Sequence, residues 1–88
     1  MALFDLLGRR WAMRVIWELR EGPFTFRELQ ERCGGISSSV LAQRLRELRS
    51  AGIAGEENVL TAEGRRLLEA YEPLAAWARG WARRAGSG

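Results

Sequence analysis

The sequence predicts a mainly α-helical fold built around a helix-turn-helix, and three features of residues 24–52 predict it. Thr25 and Glu28 have the spacing of a capping box, in which each side chain satisfies a backbone N–H at the start of a helix. Ser37 is a favourable N-cap for a second helix. The link between these helices is short and contains Gly34 and Gly35, so the two helices must cross at a steep angle.

The other helices are predicted from apolar spacing and from residues that end helices. Met13, Ile16 and Trp17 keep the i, i+3, i+4 spacing of one helix face. Gly22 and Pro23 end that helix, because glycine tolerates a left-handed cap and proline cannot continue a helix. In chain order, we expect a short apolar helix from Leu3, then helices over residues 9–20, 26–32 and 38–51, and a last helical region over 62–84.

The region after the second helix of the pair contains a short hairpin and a proline. Residues 53–60 have room for two very short strands only, so we expect a minimal hairpin. Thr61 caps the last helical region, and Pro73 either kinks one helix or starts a second one. Residues 1–85 are expected to form a single domain, and residues 86–88 a disordered tail.

Charge and composition exclude several classes of function. The net charge is +3, with 14 arginines and no lysine, and the basic excess lies in residues 1–50. Arginine suits contact with phosphate and guanine, although an arginine-only set is equally typical of a GC-rich genome. With no histidine and a single cysteine, Cys33, the chain has no basis for a zinc finger or a disulfide framework. We expect no enzyme activity, no cofactor and no metal.

The start of the chain and its hydropathy indicate where the protein resides. No apolar run approaches the ~20 residues that span a bilayer, so we expect no membrane contact. The first five residues lack the basic start of a secretory signal. We therefore expect a cytoplasmic protein.

The second helix of the pair has the pattern of a DNA-reading helix. Leu41, Leu45 and Leu48 form its buried stripe, which places small and hydrogen-bonding residues on the opposite face. Glutamine can pair with adenine and arginine with guanine, and the N-terminal residues of such a helix reach deepest into the major groove. The alternative interpretation is a solvated face. The candidate DNA-binding residues are Ser37, Ser38, Ser39, Ala42, Gln43, Arg46, Arg49 and Arg27.

Other arginines and the cysteine have structural alternatives. Arg44 lies beside the buried stripe, which favours an ion pair with Glu28, Glu31 or Glu47. Cys33 is either a small buried filler, the commoner case, or an exposed thiol. Further candidates for phosphate contact are Arg9, Arg10, Arg27 and Arg32, although each is equally suited to solvent.

Four tryptophans are too many for one small core to bury completely. Core packing is the simpler interpretation for Trp11 and Trp17. Trp77 and Trp81, spaced i, i+4 near the chain end, are better explained by contact with a second copy. The candidate dimer interface is formed by Leu3, Phe4, Leu7, Leu74, Trp77 and Trp81. A candidate pocket for a flat small-molecule effector lies between subunits at Trp11, Trp77 and Trp81.

The ordered motifs of residues 3–81 resemble the HxlR-type branch of the winged helix-turn-helix transcriptional regulators, which is related to the MarR group. The matching residues are Leu6-Leu7-Gly8-Arg9-Arg10-Trp11, Ile16-Trp17-Glu18-Leu19, Gly22-Pro23, Phe26-x-Glu28-Leu29, Gly35-Ile36-Ser37, Leu41-x-x-Arg44-Leu45-x-x-Leu48, Gly52-Ile53, Leu60-Thr61-x-x-Gly64 and Trp77. The resemblance implies a winged helix-turn-helix with a two-stranded wing and with N- and C-terminal dimerisation helices. It also implies a homodimer that binds a palindromic operator in double-stranded DNA.

The chain departs from this family pattern in its wing, its cysteine and its last proline. The wing is reduced to residues 54–58 and is acidic, since it carries Glu56 and Glu57. Residues 1–4 lack the redox-sensing cysteine of many members, and Pro73 lies later than the family's proline. The leading hypothesis is a sequence-specific repressor. The alternatives are a wing-reduced protein-interaction module, or an effector-sensing regulator with a Trp-lined pocket.

Overall fold

The computed structural model describes residues 3–86, which form five helices. Their bounds are α1 (Leu3–Leu7), α2 (Ala12–Leu19), α3 (Phe26–Cys33), α4 (Ser38–Ser50) and α5 (Ala62–Gly86). Helices α3 and α4 are the predicted helix-turn-helix pair, and both pack against α2. The mainly helical fold predicted from the sequence is therefore confirmed.

One hydrophobic core joins these helices. Ile16 and Leu19 of α2 and Leu29 of α3 are fully buried. They belong to the same cluster as the leucine stripe of α4, formed by Leu41, Leu45 and Leu48. Since the stripe is buried along the whole of α4, the opposite face of that helix must point outward.

The helix starts agree with the capping signals in the sequence. Thr25 Oγ1 accepts a hydrogen bond from the Glu28 N–H at 3.1 Å, and the Glu28 carboxylate accepts one from the Thr25 N–H at 2.8 Å. The bond from the Thr25 backbone lowers the pKa of Glu28. Ser37 Oγ accepts from the Val40 N–H at 3.2 Å, and Thr61 Oγ1 from the Gly64 N–H at 3.0 Å. The starts of both helices in the predicted pair are thus fixed as expected.

Helix α2 is shorter than predicted. It begins at Ala12 and not at Arg9, because Trp11 adopts a left-handed backbone conformation with φ 76°. That conformation is incompatible with a right-handed helix running through this residue. The chain therefore turns between α1 and α2.

The predicted two-stranded wing is wrong. The segment after α4 contains a single antiparallel bridge, between Ala54 and Leu60, within the described residues 3–86. The Gly55 N–H donates to the Val59 carbonyl at 2.8 Å, and Asn58 adopts a left-handed φ of 55°. The turn therefore closes immediately after the bridge and leaves no residues for a ladder. We call residues 55–58 the acidic turn.

Helix α5 settles the alternatives for Pro73, which lies inside one continuous helix of 25 residues. The tail predicted to be disordered covers residues 86–88. Gly86 is instead helical, as the last residue of α5. Residues 87 and 88 lie outside the described residues, and their disorder stays a prediction.

An ion-pair cluster ties α4 to the turn before α2. Arg44 pairs with Glu47 at 2.6 Å and donates through Nε to the Arg10 carbonyl at 3.0 Å. Arg9 approaches the same Glu47 carboxylate at 3.4 Å. Partial burial alone would raise the pKa of Glu47, but the hydrogen bond and charge of Arg44, with the charge of Arg9, lower it. Of the three partners considered for Arg44, Glu47 is confirmed.

Cys33 is the predicted small buried filler. Its side chain is 2% exposed and belongs to the core cluster. Burial raises the pKa of the thiol, and the nearby Glu18 carboxylate raises it further. A protonated, enclosed thiol is a poor nucleophile, so Cys33 serves packing.

Replacing Gly64 by alanine should destabilise the protein, because an added Cβ would lie 2.4 Å from the Ile53 carbonyl oxygen and 2.9 Å from Leu60 Cδ2. Overpacking against backbone costs about 1–3 kcal/mol. The matched control is Gly80→Ala in the same helix, where the nearest atom is the movable Arg84 guanidinium at 3.0 Å. Urea unfolding should show a loss for Gly64→Ala and none for Gly80→Ala. Equal effects would contradict this assignment.

Glu47→Gln should lower stability at pH 7 and lose that effect in acid. The folded-state pKa of Glu47 lies below the ordinary 4.5, so its ionised form stabilises the fold above that pH. This stabilisation disappears as the pH falls through the lowered folded value. Urea midpoints of wild type and variant should therefore converge below pH 4.5. Glu63→Gln, which breaks an exposed pair with Arg66, is the control and should change little. A gap independent of pH would argue against the ion pair.

Candidate nucleic-acid interface

The outer face of α4 is the surface that the fold leaves open for a ligand. Ser39, Gln43 and Arg46 are exposed, as the spacing from the leucine stripe predicts, and Ala42 is half-buried beside them. No ion pair or hydrogen bond within residues 3–86 engages the Arg46 guanidinium, whereas Gln43 adds a hydrogen bond to Glu47. The face therefore presents a hydroxyl, an amide and a guanidinium, groups that can reach base edges.

Three consecutive serines form the N-terminal end of this face. Ser37 is the N-cap, and its Oγ lies 3.4 Å from Ser39 Oγ. Ser38 Oγ accepts a hydrogen bond from Gln30 Nε2 at 3.1 Å, and the same nitrogen lies 3.3 Å from the Ile36 carbonyl. The Gln30 amide of α3 thereby fixes where α4 begins. Sequence reasoning did not single out Gln30, because its partners lie on another element.

Arg49 and Arg27, the two flanking candidates, differ in their surroundings. Arg27 is almost fully exposed and has one loose ion pair, to Glu31 at 3.5 Å. The Arg49 guanidinium points to the acidic turn, where it donates to Asn58 Oδ1 at 2.5 Å and lies 3.5 Å from the Gly55 carbonyl oxygen. Arg27 is thus placed to meet a phosphate, whereas Arg49 already has partners inside the protein.

A second ion-pair cluster holds α3 against α2. Glu18, 9% exposed, accepts hydrogen bonds from Arg14 Nε and Arg32 Nε, each at 3.0 Å. Arg32 also pairs with Glu21, and its guanidinium lies 4.8 Å from the centre of the Phe24 ring. Arg32 therefore supports the orientation of α3 and is not an open phosphate contact.

Five of the large exposed apolar residues fall on α1 and the second half of α5. Trp17 on α2, which was expected to pack in the core, is 40% exposed, and Phe26 on α3 is exposed as well. Phe4 is 80% exposed, and Leu3 and Leu74 are also exposed, whereas Leu7 is half-buried against the core. Trp77 and Trp81 stack on each other, with ring centres 6.2 Å apart and planes 18° apart, and each is more than half exposed. Five of the six candidate dimer residues are thus uncovered in the single chain.

The candidate pocket at Trp11, Trp77 and Trp81 does not form within one chain. Trp11 packs against the core near the start of α2. An open cavity of about 740 Å³ lies between α1, α4 and α5 and is lined by Leu3, Leu6, Arg46, Glu47, Ser50, Ala51, Ile53, Glu63, Arg66 and Leu67. A smaller one, between α2 and α5, includes Trp17 and Tyr71. Neither is lined by any of the three predicted tryptophans, and a pocket between subunits stays a prediction.

Residues 3–86 contain neither a metal-binding cluster nor a helix able to cross a bilayer. No group of three or more cysteine, aspartate or glutamate side chains is placed to hold a metal ion. No helix in that range combines the length and apolar character that crossing a bilayer requires.

Comparison with known proteins identifies the family. The model of the HxlR-like helix-turn-helix family matches residues 6–85. The HTH-type transcriptional regulator YodB of Bacillus subtilis is 34% identical over 85 residues, covering 85% of this chain and 76% of YodB. An uncharacterized HTH-type transcriptional regulator of Methanocaldococcus jannaschii is 29% identical, covering 92% of this chain and 83% of its own length.

Solved structures give the same result. The crystal structure of quinone-bound YodB from B. subtilis superposes with a TM-score of 0.80 at 38% identity, covering 88% of this chain and 91% of that chain. A possible HxlR family transcriptional factor from Thermoplasma volcanium, at 24% identity and a TM-score of 0.74, shares the fold, covering 94% of this chain and 84% of its own. The chain therefore belongs to the HxlR-like helix-turn-helix family of DNA-binding transcriptional regulators.

Proposed function

We propose that this protein is a sequence-specific repressor that binds a palindromic operator in double-stranded DNA as a homodimer. The observation that carries the proposal is the outer face of α4, where Ser39, Gln43 and Arg46 are exposed on a helix capped by Ser37. A face of small and hydrogen-bonding side chains on a rigid helix suits the major groove.

The rest of the helix-turn-helix supports this face. Gln30 joins α3 to the start of α4, and the Glu18 cluster joins α3 to α2, so side-chain hydrogen bonds connect all three helices. Arg27 lies on α3, which in a helix-turn-helix crosses the DNA backbone. Arg27 then contributes a sequence-independent phosphate contact, while Gln43 and Arg46 read bases.

The exposed apolar residues supply the contact surface for the second subunit. Leu74, Trp77 and Trp81 lie along one face of α5 at helical spacing, and Leu3 and Phe4 extend the apolar surface on α1. Large exposed aromatic side chains are typical of subunit interfaces. In the dimer, two copies of α4 lie one DNA turn apart, ~34 Å, which makes the operator a palindrome.

Gln43→Ala and Arg46→Ala should weaken binding to a palindromic operator from the protein's own upstream region while leaving binding to unrelated DNA nearly unchanged. Each lost base contact costs about 1–3 kcal/mol, roughly five- to 150-fold in Kd. Mobility-shift titrations on both DNAs measure this difference. Arg79→Ala is the charge-matched control, since Arg79 is exposed on α5, away from α4.

Binding by wild type that is equally tight on operator and unrelated DNA would contradict the operator proposal. Absence of binding by wild type to either DNA would favour the alternative of a protein-interaction module. The effector-sensing alternative is supported by the quinone bound to the related YodB. Release of operator DNA on adding a quinone to the same assay supports it, and unchanged binding speaks against it.

Trp77→Glu should convert the dimer to a monomer, because a carboxylate would be buried without a partner in the apolar interface. Sedimentation equilibrium across a concentration series gives the mass directly. Arg79→Glu, two residues away and not on the tryptophan face, is the control and should stay dimeric. A monomeric wild type would contradict the homodimer, whereas a dimer that survives Trp77→Glu would contradict only its assignment to α5.

A further inference from the structure

We infer that Arg49 serves DNA binding as a positioning residue, acting through Asn58 to fix the acidic turn beside α4 instead of contacting a phosphate itself. This inference rests on the proposed DNA-binding function. It changes the role of a residue whose place on the recognition helix predicts direct contact with DNA.

Two nitrogens of the Arg49 guanidinium face the acidic turn. One terminal nitrogen donates to Asn58 Oδ1 at 2.5 Å, and Nε lies 3.5 Å from the Gly55 carbonyl oxygen. The Arg49 side chain is half-buried. If these two nitrogens turned to a phosphate they would have to leave their partners, and Asn58, 8% exposed, would then keep a buried carbonyl without a donor.

Asn58 carries the connection onward to the chain before α3. Its Nδ2 donates to the Phe24 carbonyl at 3.0 Å, and the Phe24 N–H donates to the Glu57 carbonyl at 3.2 Å. A Cβ at Gly22 would lie only 2.4 Å from the Asn58 carbonyl oxygen, so the two backbones touch. The acidic turn is therefore held on one side by α4 and on the other by residues 22–24.

The position of this turn matters because it is negatively charged. Glu56 and Glu57 are exposed, and they are attached directly to the clamp formed by Arg49 and Asn58. If the clamp opens, two carboxylates gain freedom to move near the end of the recognition helix, where the DNA backbone passes. Repulsion between carboxylates and phosphates then opposes binding. The clamp limits that repulsion by fixing where the turn lies.

Charge and geometry can be separated at this site. Lysine keeps the charge of arginine but lacks the planar fork that reaches two acceptors, so it can replace a phosphate contact better than a clamp. At Asn58, glycine accepts the left-handed φ of 55° and removes only the side-chain bonds. Arg49→Lys and Asn58→Gly therefore break the same link from its two ends.

The experiment measures Kd for an operator duplex by fluorescence anisotropy over a series of salt concentrations. Arg49→Lys and Asn58→Gly should each weaken binding by roughly tenfold, because the acidic turn must then be ordered on binding and is no longer held in place beforehand. The double variant should bind no more weakly than the weaker single variant, since one link is lost once. The loss should shrink as the salt concentration rises, because salt screens the repulsion between the carboxylates of the acidic turn and the phosphates.

Arg46→Ala provides the matched control, since Arg46 is exposed on the same helix one turn earlier. Its effect should add to that of Asn58→Gly, as expected for independent sites. Wild-type affinity for Arg49→Lys or for Asn58→Gly would overturn the inference. So would additive effects of Arg49→Lys and Asn58→Gly, which would make Arg49 a separate contact.

Hydrogen exchange of the DNA-free protein separates a local from a global effect. Arg49→Lys should speed exchange of the Gly55 amide, which closes the acidic turn, and leave the amides of α4 unchanged. Unchanged exchange at Gly55 would overturn the clamp even if Asn58→Gly failed to fold. Failure of the proposed function looks different, because wild type itself would then bind operator no better than unrelated DNA.

Discussion

The burial of one face of α4 is the constraint on which the rest of the structure depends. Leu41, Leu45 and Leu48 each lose nearly all contact with water, and burying a leucine stabilises a fold by about 1.5–3 kcal/mol. Rotating α4 about its own axis would remove these three residues from the core. The outward direction of Gln43 and Arg46 is therefore a consequence of the core and needs no interaction of its own.

Most arginines of the basic half are committed to the fold and not to a ligand. Arg14 and Arg32 satisfy Glu18, Arg44 satisfies Glu47, and Arg49 holds Asn58. Because Glu18 and Glu47 are nearly buried, these pairs are unlike exposed surface pairs, and removing both arginine partners of either carboxylate would leave its charge without compensation. The excess of arginine in residues 1–50 thus overstates the positive surface available to DNA. Under the proposed function, sequence readout by α4 would carry more of the affinity.

The features that the sequence predicts are ones that depend on residues close together in the chain. The capping box at Thr25, the N-cap at Ser37 and the leucine stripe of α4 involve residues within one or a few helical turns, and all were predicted. The links from Gln30 to Ser38 and from Arg49 to Asn58 span separate elements, and they depend on tertiary placement that periodicity does not encode. The hairpin failed for a related reason. Its residues left room for two very short strands, but Asn58 in a left-handed conformation closes the turn after one bridge.

The shape of the single chain also supports the proposed homodimer. The molecule measures 43 × 27 × 24 Å and exposes 5726 Å², whereas a compact monomer of this mass exposes roughly 5200 Å². Helix α5 is about 37 Å long at 1.5 Å per residue, so its second half extends beyond the core. That half carries the stacked Trp77 and Trp81. In the proposed homodimer, a second copy would cover these apolar residues, and the same contact would set the spacing of the two α4 helices. Under that proposal, dimerisation and operator recognition depend on one contact.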